Sequence, residues 1–165
     1  MRRGVTLSAC LLILAACGPA PQVALGLAPA FELPDLAGGS LSNETLKGRV
    51  VVLDFWATWC GPCIAEIPHY AEFWKKNQAR GVEVVGVVFD SGEPEEIRAF
   101  VRENGIPYRQ LLGNDQVLNA YRATQGFPTT FVVDAGGTIL ARIIGAQPGK
   151  FDSLQNTVDA ALGSR

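Results

Sequence analysis

Cys60 and Cys63 stand three residues apart in Trp59-Cys60-Gly61-Pro62-Cys63-Ile64, entered from the apolar run Val50-Val51-Val52-Leu53-Asp54-Phe55-Trp56. A Cys-x-x-Cys pair where a strand pattern gives way to a helix pattern is a thiol–disulfide redox site. Exchange needs one thiolate to attack and a second thiol to resolve the mixed disulfide. The helix start favours a thiolate at Cys60, because unpaired N–H groups and the positive end of the helix dipole meet there. Cys63 lies about one turn further on and on the same side. The spacing predicts Cys60 as the exposed nucleophile and Cys63 as the more buried resolving thiol. Pro62 suits the first helical turn, where its missing N–H would have been an orphan donor. The competing use of the pair is half a zinc site. Zinc takes four ligands, and the chain has no second Cys-x-x-Cys and one histidine, His69. We expect no metal and no cofactor beyond the cysteines. Asp54 interrupts the apolar run, and a buried unpaired carboxylate is costly when charged, so its pKa is expected to rise.

The elements that position these residues follow from periodicity. Phe31-Glu32-Leu33 alternates and Gly38-Gly39 signals a turn, predicting a short N-terminal hairpin. The run from Val50 to Ala57 predicts a strand covered on both faces. Ile64, Ile67, Ala71 and Trp74 predict a helix over 62–78 that continues through Pro68, which would kink it. Val82 to Phe89 predicts a second buried strand and Pro94 to Asn104 a helix closed by Gly105. Asn114 or Asp115 is placed to cap a short helix running to Tyr121. Thr129–Val133 and Ile139–Ile144 predict strands about Asp134-Ala135-Gly136-Gly137, a hairpin turn. Phe151, Leu154, Val158 and Leu162 share one face of a last helix. Strand–helix–strand units imply a parallel central portion, and the late hairpin adds antiparallel strands.

The chain has 165 residues, long enough for one domain with a sizeable core. Its charge is slightly acidic at −2 and it shows no basic run, so nothing points to nucleic acid. The first residues differ. Arg2 and Arg3 precede an apolar stretch from Val5 that is far shorter than the ~20 residues of a bilayer-spanning helix. This is a secretory signal pattern. Leu14-Ala15-Ala16-Cys17 resembles the bacterial lipobox. That resemblance implies cleavage before Cys17 and its lipidation. The alternative is an ordinary signal peptide cut at a small-residue site. The expected organisation is residues 1–16 as signal, 17–29 as lipidated Cys17 and tether, and 30–165 as the folded domain. The tether Gly18 to Pro29 is rich in Pro and Gly and reaches at most about 40 Å fully extended. With Cys10 removed and Cys17 lipidated, Cys60 and Cys63 are the remaining thiols, so the pair is free to cycle.

Asp54-Phe55-Trp56-Ala57-Thr58-Trp59-Cys60-Gly61-Pro62-Cys63, with Pro68 and Gly126-Phe127-Pro128-Thr129-Thr130 downstream, resembles the thioredoxin fold. More narrowly, it is similar to the TlpA/ResA-like exported thiol–disulfide oxidoreductases. The likeness runs from about Ala30 to Leu162. It implies an α/β thioredoxin-like fold: a mixed central sheet flanked by helices, with an N-terminal hairpin and a central helical insertion from about Pro94 to Tyr121. It implies that Pro128 is a cis-proline beside the disulfide and that Phe127 faces the sulfurs. Trp59 would flank the nucleophile as an apolar docking surface, with Gly61 and Pro62 completing the substrate-binding set. Asp54 matches thioredoxin's buried aspartate, which shuttles the proton of the resolving cysteine, although many TlpA/ResA-like sequences carry Asn there. Glu66 matches an acidic residue of the ResA-like site. It lies within one turn of Cys63, where Asp54 and Glu66 could share acid–base work; as an ordinary helix residue it would be solvated. His69 is expected to be a partly exposed helix residue without a role.

The resemblance implies a monomeric reductase of protein disulfides, tethered to a bacterial membrane outside the cytoplasm. Its clients would be protein thiols or disulfides, of the cytochrome c maturation or metallochaperone type, and its electrons would come from a membrane donor protein. An oxidase that donates its disulfide is the second reading. A Cu(I) chaperone using Cys60, Cys63 and His69 is the third, since soft thiolates select Cu(I).

Overall fold

A computed structural model of the protein describes residues 25–163. The signal stretch, Cys17 and the first part of the expected tether lie outside the described residues. An N-terminal hairpin of β1 (Glu32–Pro34) and β2 (Ser40–Ser42) leads into β3 (Val50–Trp56) and helix α1 (Gly61–Asn77). Then follow β4 (Val82–Val88), α2 (Pro94–Glu103), β5 (Arg109–Leu112) and α3 (Asp115–Ala120). The chain finishes with β6 (Thr129–Val133), β7 (Ile139–Ile144) and α4 (Lys150–Gly163). Five strands form one sheet in the order β5-β4-β3-β6-β7. β3, β4 and β5 are mutually parallel, while β6 pairs antiparallel with β3 and β7 antiparallel with β6. The arrangement is the expected thioredoxin-like one.

β3 is buried along its whole length, and its side chains alternate between two cores. Val50, Val52 and Trp56 face a core built with Ile67, Tyr70 and Phe73 of α1, Ile97 of α2, and Leu154 and Val158 of α4. Val51, Leu53 and Phe55 face a second core with Leu33 and Leu41 of the hairpin and Val117 beside Tyr121. The same alternation puts Asp54 on the side of α1 and α4.

Two expectations need correction. The central insertion is not wholly helical: β5 extends the sheet, with Val85 opposite Arg109 and Val88 opposite Leu112. Its four residues include a buried Gln110, so they show neither alternation nor an apolar run. The tether is also shorter than the composition suggests. Leu25 N–H donates to the Ile139 carbonyl (2.8 Å) and Ala28 N–H to the Gly137 carbonyl (2.8 Å), while Ile139 N–H donates to the Gly26 carbonyl (2.9 Å). Residues 25–28 are therefore laid against the β6–β7 hairpin, because backbone pairing does not need an apolar pattern.

Gln110 has a positioning role. Its Oε1 accepts from the Trp56 indole Nε1–H at 3.0 Å, and its Nε2 donates to the Tyr108 carbonyl at 3.3 Å. The space for this carboxamide exists because its β4 neighbour is Gly86, where a Cβ would run into it. Gly86 is also the register partner of Asp54. We predict that Gly86→Ala displaces Gln110 and destabilises the fold by about 1–3 kcal/mol. Urea unfolding followed by tryptophan fluorescence checks this; an unchanged midpoint would refute the packing argument.

Candidate active site

The redox pair is built at the exit of β3. After Trp56 the chain turns through Ala57-Thr58-Trp59, and Cys60 caps α1 with extended backbone (φ −85°, ψ 99°). Its Sγ accepts from the Cys63 N–H at 3.3 Å, the geometry of an N-cap side chain meeting the third helical N–H. A thiolate at Cys60 would receive that donor together with the helix dipole. Cys60 and Cys63 are joined as a disulfide with Cα atoms 5.2 Å apart. The expected contrast in exposure is slight: Cys60 is 6% exposed and Cys63 4%. Cys60 is thus not an exposed residue in the oxidised protein; both cysteines belong to the core that includes α1 and α4.

The turn is clamped by the loop after β4. Phe89 N–H donates to the Trp56 carbonyl, and the Thr58 N–H donates to Ser91 Oγ (2.9 Å). Ser91 Oγ–H itself donates to the Phe89 carbonyl at 2.8 Å. Trp59 is 63% exposed, yet its indole Nε1–H donates to the Asp90 carbonyl at 2.7 Å. An apolar side chain in water is thereby held in one place. Its ring lies 6.1 Å from Phe127, which stacks on Phe89 at 5.4 Å and 17°. The Phe127–Pro128 bond is cis, as the resemblance implied. Gly61 and Pro62 open α1 and are exposed. Exposed Trp59 and half-buried Phe127 therefore form a fixed apolar shelf at the disulfide's end of the sheet, with the buried cis-Pro128 next in the chain.

Behind the shelf lies a buried polar group. Asp54 Oδ1 accepts from the Tyr70 hydroxyl at 3.0 Å and from Thr130 Oγ1 at 3.3 Å, and the two hydroxyls lie 2.7 Å apart. Burial pushes the Asp54 carboxyl up to about 6, opposed by the charge of Lys150 and the Tyr70 hydrogen bond and assisted by the charge of Glu66. Burial also drives the Tyr70 and Tyr108 phenols well above their ordinary range, so both stay neutral. Glu66 is not the solvated helix residue that its surroundings in sequence allow. It is buried, and its Oε2 accepts from Lys150 Nζ at 2.6 Å. Its neighbour His69 is exposed, with its ring 5.3 Å from that of Phe151.

The structure thus packs Phe127 against the core that holds Cys60 and Cys63, sets exposed Trp59 beside Phe127, buries Pro128 next in the chain, and places Asp54 and Glu66 in one electrostatic neighbourhood. Sequence reasoning missed Tyr70, Thr130 and Lys150. Tyr70 carried a signal, lying seven residues after Cys63 and four after Glu66 on one helix face. Lys150 carried another, since a cation in the first turn of a helix opposes the dipole and calls for a partner. Thr130 follows from strand register opposite Asp54.

The model of the AhpC/TSA family matches residues 26–142. The chain belongs to the AhpC/TSA family. Within it, this is a thiol–disulfide oxidoreductase of the ResA/DsbE type. It is 33% identical over 121 residues to the thiol-disulfide oxidoreductase ResA of Bacillus thuringiensis, covering 73% of this chain and 69% of the relative. It is 38% identical over 126 residues to ResA of Geobacillus thermodenitrificans, covering 74% and 71%. Among solved structures it resembles a putative thiol:disulfide interchange protein DsbE from Chlorobium tepidum, with TM-score 0.76, 32% identity, and coverage of 84% and 96%. It also resembles a secreted Mycobacterium tuberculosis disulfide oxidoreductase homologous to E. coli DsbE, with TM-score 0.64, 25% identity, and coverage of 79% and 95%.

The raised carboxyl of this AhpC/TSA member has a consequence for stability. Below about pH 3.8 Asp54 is protonated folded and unfolded, and the folded preference for the neutral form is fully present. As pH rises from 3.8 to about 6, the unfolded chain ionises first and stability falls. At ~1.4 kcal/mol per unit the loss is about 3 kcal/mol. Asp54→Asn should therefore be more stable than the parent by up to about 3 kcal/mol at pH 7, with the difference fading towards pH 4. Urea titrations across pH 4–7 measure it; parallel profiles for the two proteins would contradict the assignment.

Proposed function

We propose that the chain is a lipid-tethered, extracytoplasmic reductase of protein disulfides. The observation that carries this reading is a fixed, exposed Trp59 next to the Cys60–Cys63 disulfide, reached from a strand that carries a buried carboxyl group. An immobilised aromatic shelf costs little further entropy when a protein segment docks on it, which suits an extended protein client. In the reduced form the Cys60 thiolate attacks a client disulfide. One client sulfur leaves as a thiol and the other is held as a mixed disulfide on Cys60. Asp54, with a carboxyl near 6, takes the proton of Cys63. The Cys63 thiolate attacks Cys60 Sγ, the bond to the client breaks, and the client leaves with both sulfurs reduced. The enzyme is left as the Cys60–Cys63 disulfide, and a membrane electron-donor protein returns it to the dithiol.

Cys17 would carry the lipid and residues 17–24 the remaining tether. No helix among the described residues is long and apolar enough to cross a membrane; the anchor in this reading rests on the lipobox resemblance of Leu14-Ala15-Ala16-Cys17. The secreted mycobacterial relative favours an exported domain. By resemblance, the clients are apocytochrome c haem-site cysteines or metallochaperone cysteines. The Cu(I) chaperone reading, which calls on His69 as a further ligand, is weaker, because the His69 ring packs on Phe151.

The test is a Cys63→Ser trap. Without the resolving thiol, clients should remain covalently bound to Cys60 and be identified by mass spectrometry after non-reducing isolation. Trapping by Cys60→Ser instead would reverse the assigned roles. A reduction potential near the −120 mV or so of strong periplasmic oxidants would favour the disulfide-donating reading. Cys17→Ser should move the protein from the membrane fraction to the soluble exported fraction; continued membrane association would remove the lipid anchor from the proposal.

A further inference from the structure

Helix α4 begins with a buried cation that takes no part in the exchange of sulfurs. The Lys150 side chain has 0% exposure, with Nζ 2.6 Å from Glu66 Oε2. The same ammonium lies 5.2 Å from the centre of the Tyr70 ring and 6.0 Å from that of Phe151, an arrangement in which the ring faces favour the charge. A lysine at the first position of a helix opposes the dipole, and a buried ammonium carries a desolvation penalty. Two opposing effects at one residue need a reason, and the neighbours supply it. Tyr70, whose ring faces the ammonium, donates its hydroxyl to Asp54. Lys150 is thus joined to the Asp54 site on one side by Glu66 and on another by Tyr70.

We propose that Lys150 is a positioning residue for the resolving step: its buried ammonium, pinned by Glu66, holds Asp54 as the carboxylate that takes the Cys63 proton. This rests on Asp54 acting as the base for Cys63. The groups facing Asp54 come from every element packed around it. Lys150 of α4 favours its charged form. From α1, the Tyr70 hydroxyl favours it and Glu66 opposes it. Thr130 of β6 favours it. Tyr108, ahead of β5, stands as a neutral phenol, and Gly86 of β4, its register partner, brings no charge. After burial, Lys150 is the largest influence, and it outweighs Glu66. The pair is therefore not electrically silent at Asp54, although it is neutral as a whole.

The opposite signs of the two partners give the test. The Asp54 carboxyl is titrated by carbon-13 NMR in the oxidised full-length protein and in Lys150→Met, Glu66→Gln and the double variant. The midpoint should rise in Lys150→Met, fall in Glu66→Gln, and lie above the parent but below Lys150→Met in the double variant. Mere loss of packing would move the two single variants the same way, and that result would overturn the proposal. So would an Asp54 midpoint unmoved by Lys150→Met. Should Lys150→Met fail to fold, the double variant replaces a buried ion pair by neutral side chains, a change proteins often tolerate, and a double variant with an unmoved or lowered midpoint is equally fatal. The kinetic arm follows resolution of a Cys60 mixed disulfide by Cys63 against pH. Each unit of upward shift should slow that step about tenfold below the midpoint. Asp54→Asn separates the two claims. A resolving step unchanged in Asp54→Asn overturns the base role itself. A step slowed there but unaffected in the Lys150 variants overturns only the part assigned to Lys150.

Discussion

A carboxylate in the middle of a strand covered on both faces has to find its partners inside the protein. Asp54 is that carboxylate, and β3 is that strand. Pleating sends Asp54 towards α1 and α4 rather than towards the hairpin. The groups that meet it are therefore drawn from the helical side: Tyr70 of α1, Thr130 on the same face of β6, and the Lys150–Glu66 pair bridging α4 and α1. None of these contacts is local in sequence. Each holds two elements at a fixed separation, so the polar group also orders the packing around it. The carboxylate is left costly to ionise yet able to do so near neutral pH, a condition suited to moving a thiol proton.

The shelf above the disulfide depends on the same sheet from its other strands. The loop leaving β4 returns across the end of β3 and ties down Thr58 and Trp59 through Ser91 and the Asp90 carbonyl. Phe89 supports Phe127, which leads into the cis-proline. β5 contributes from further away, since its Gln110 locks Trp56, the last residue of β3 before the turn. The disulfide, the Trp59–Phe127 shelf and the buried carboxyl all depend on β3 and its exit.

Much of this was legible in the residues. The apolar run of β3, the helix spacing of α1 and α4, the late hairpin and the Asn114 cap all follow from local periodicity and turn chemistry. The Cys-x-x-Cys at a strand–helix junction identified the chemistry before any fold was known. What escaped was of another kind. β5 is short and holds its place through partners remote in sequence, with Gln110 in a slot left by Gly86. Leu25 to Ala28 pair by backbone alone, which leaves no mark in composition. Lys150 lies 84 residues from Glu66, and no pattern along the chain joins them. The alternation of β3 would have narrowed the search, because it puts Asp54, Trp56 and Val52 on the side that the helices cover.

The backbone pairing of Leu25 to Ala28 decides how the domain can be held. Those residues bond to Gly137 and Ile139, beside the turn of the β6–β7 hairpin. That turn is at the Val51 end of β3, while the disulfide follows Trp56 at the other. Seven strand residues at roughly 3.3 Å each put about 20 Å of sheet between the two ends. Any load arriving along the chain from upstream is thus taken up by hydrogen bonds at the far pole, and the redox face is left to turn outward. The hydrogen bonds of Leu25 to Ala28 and the disulfide thus occupy opposite ends of β3, like the handle and the bristles of a brush.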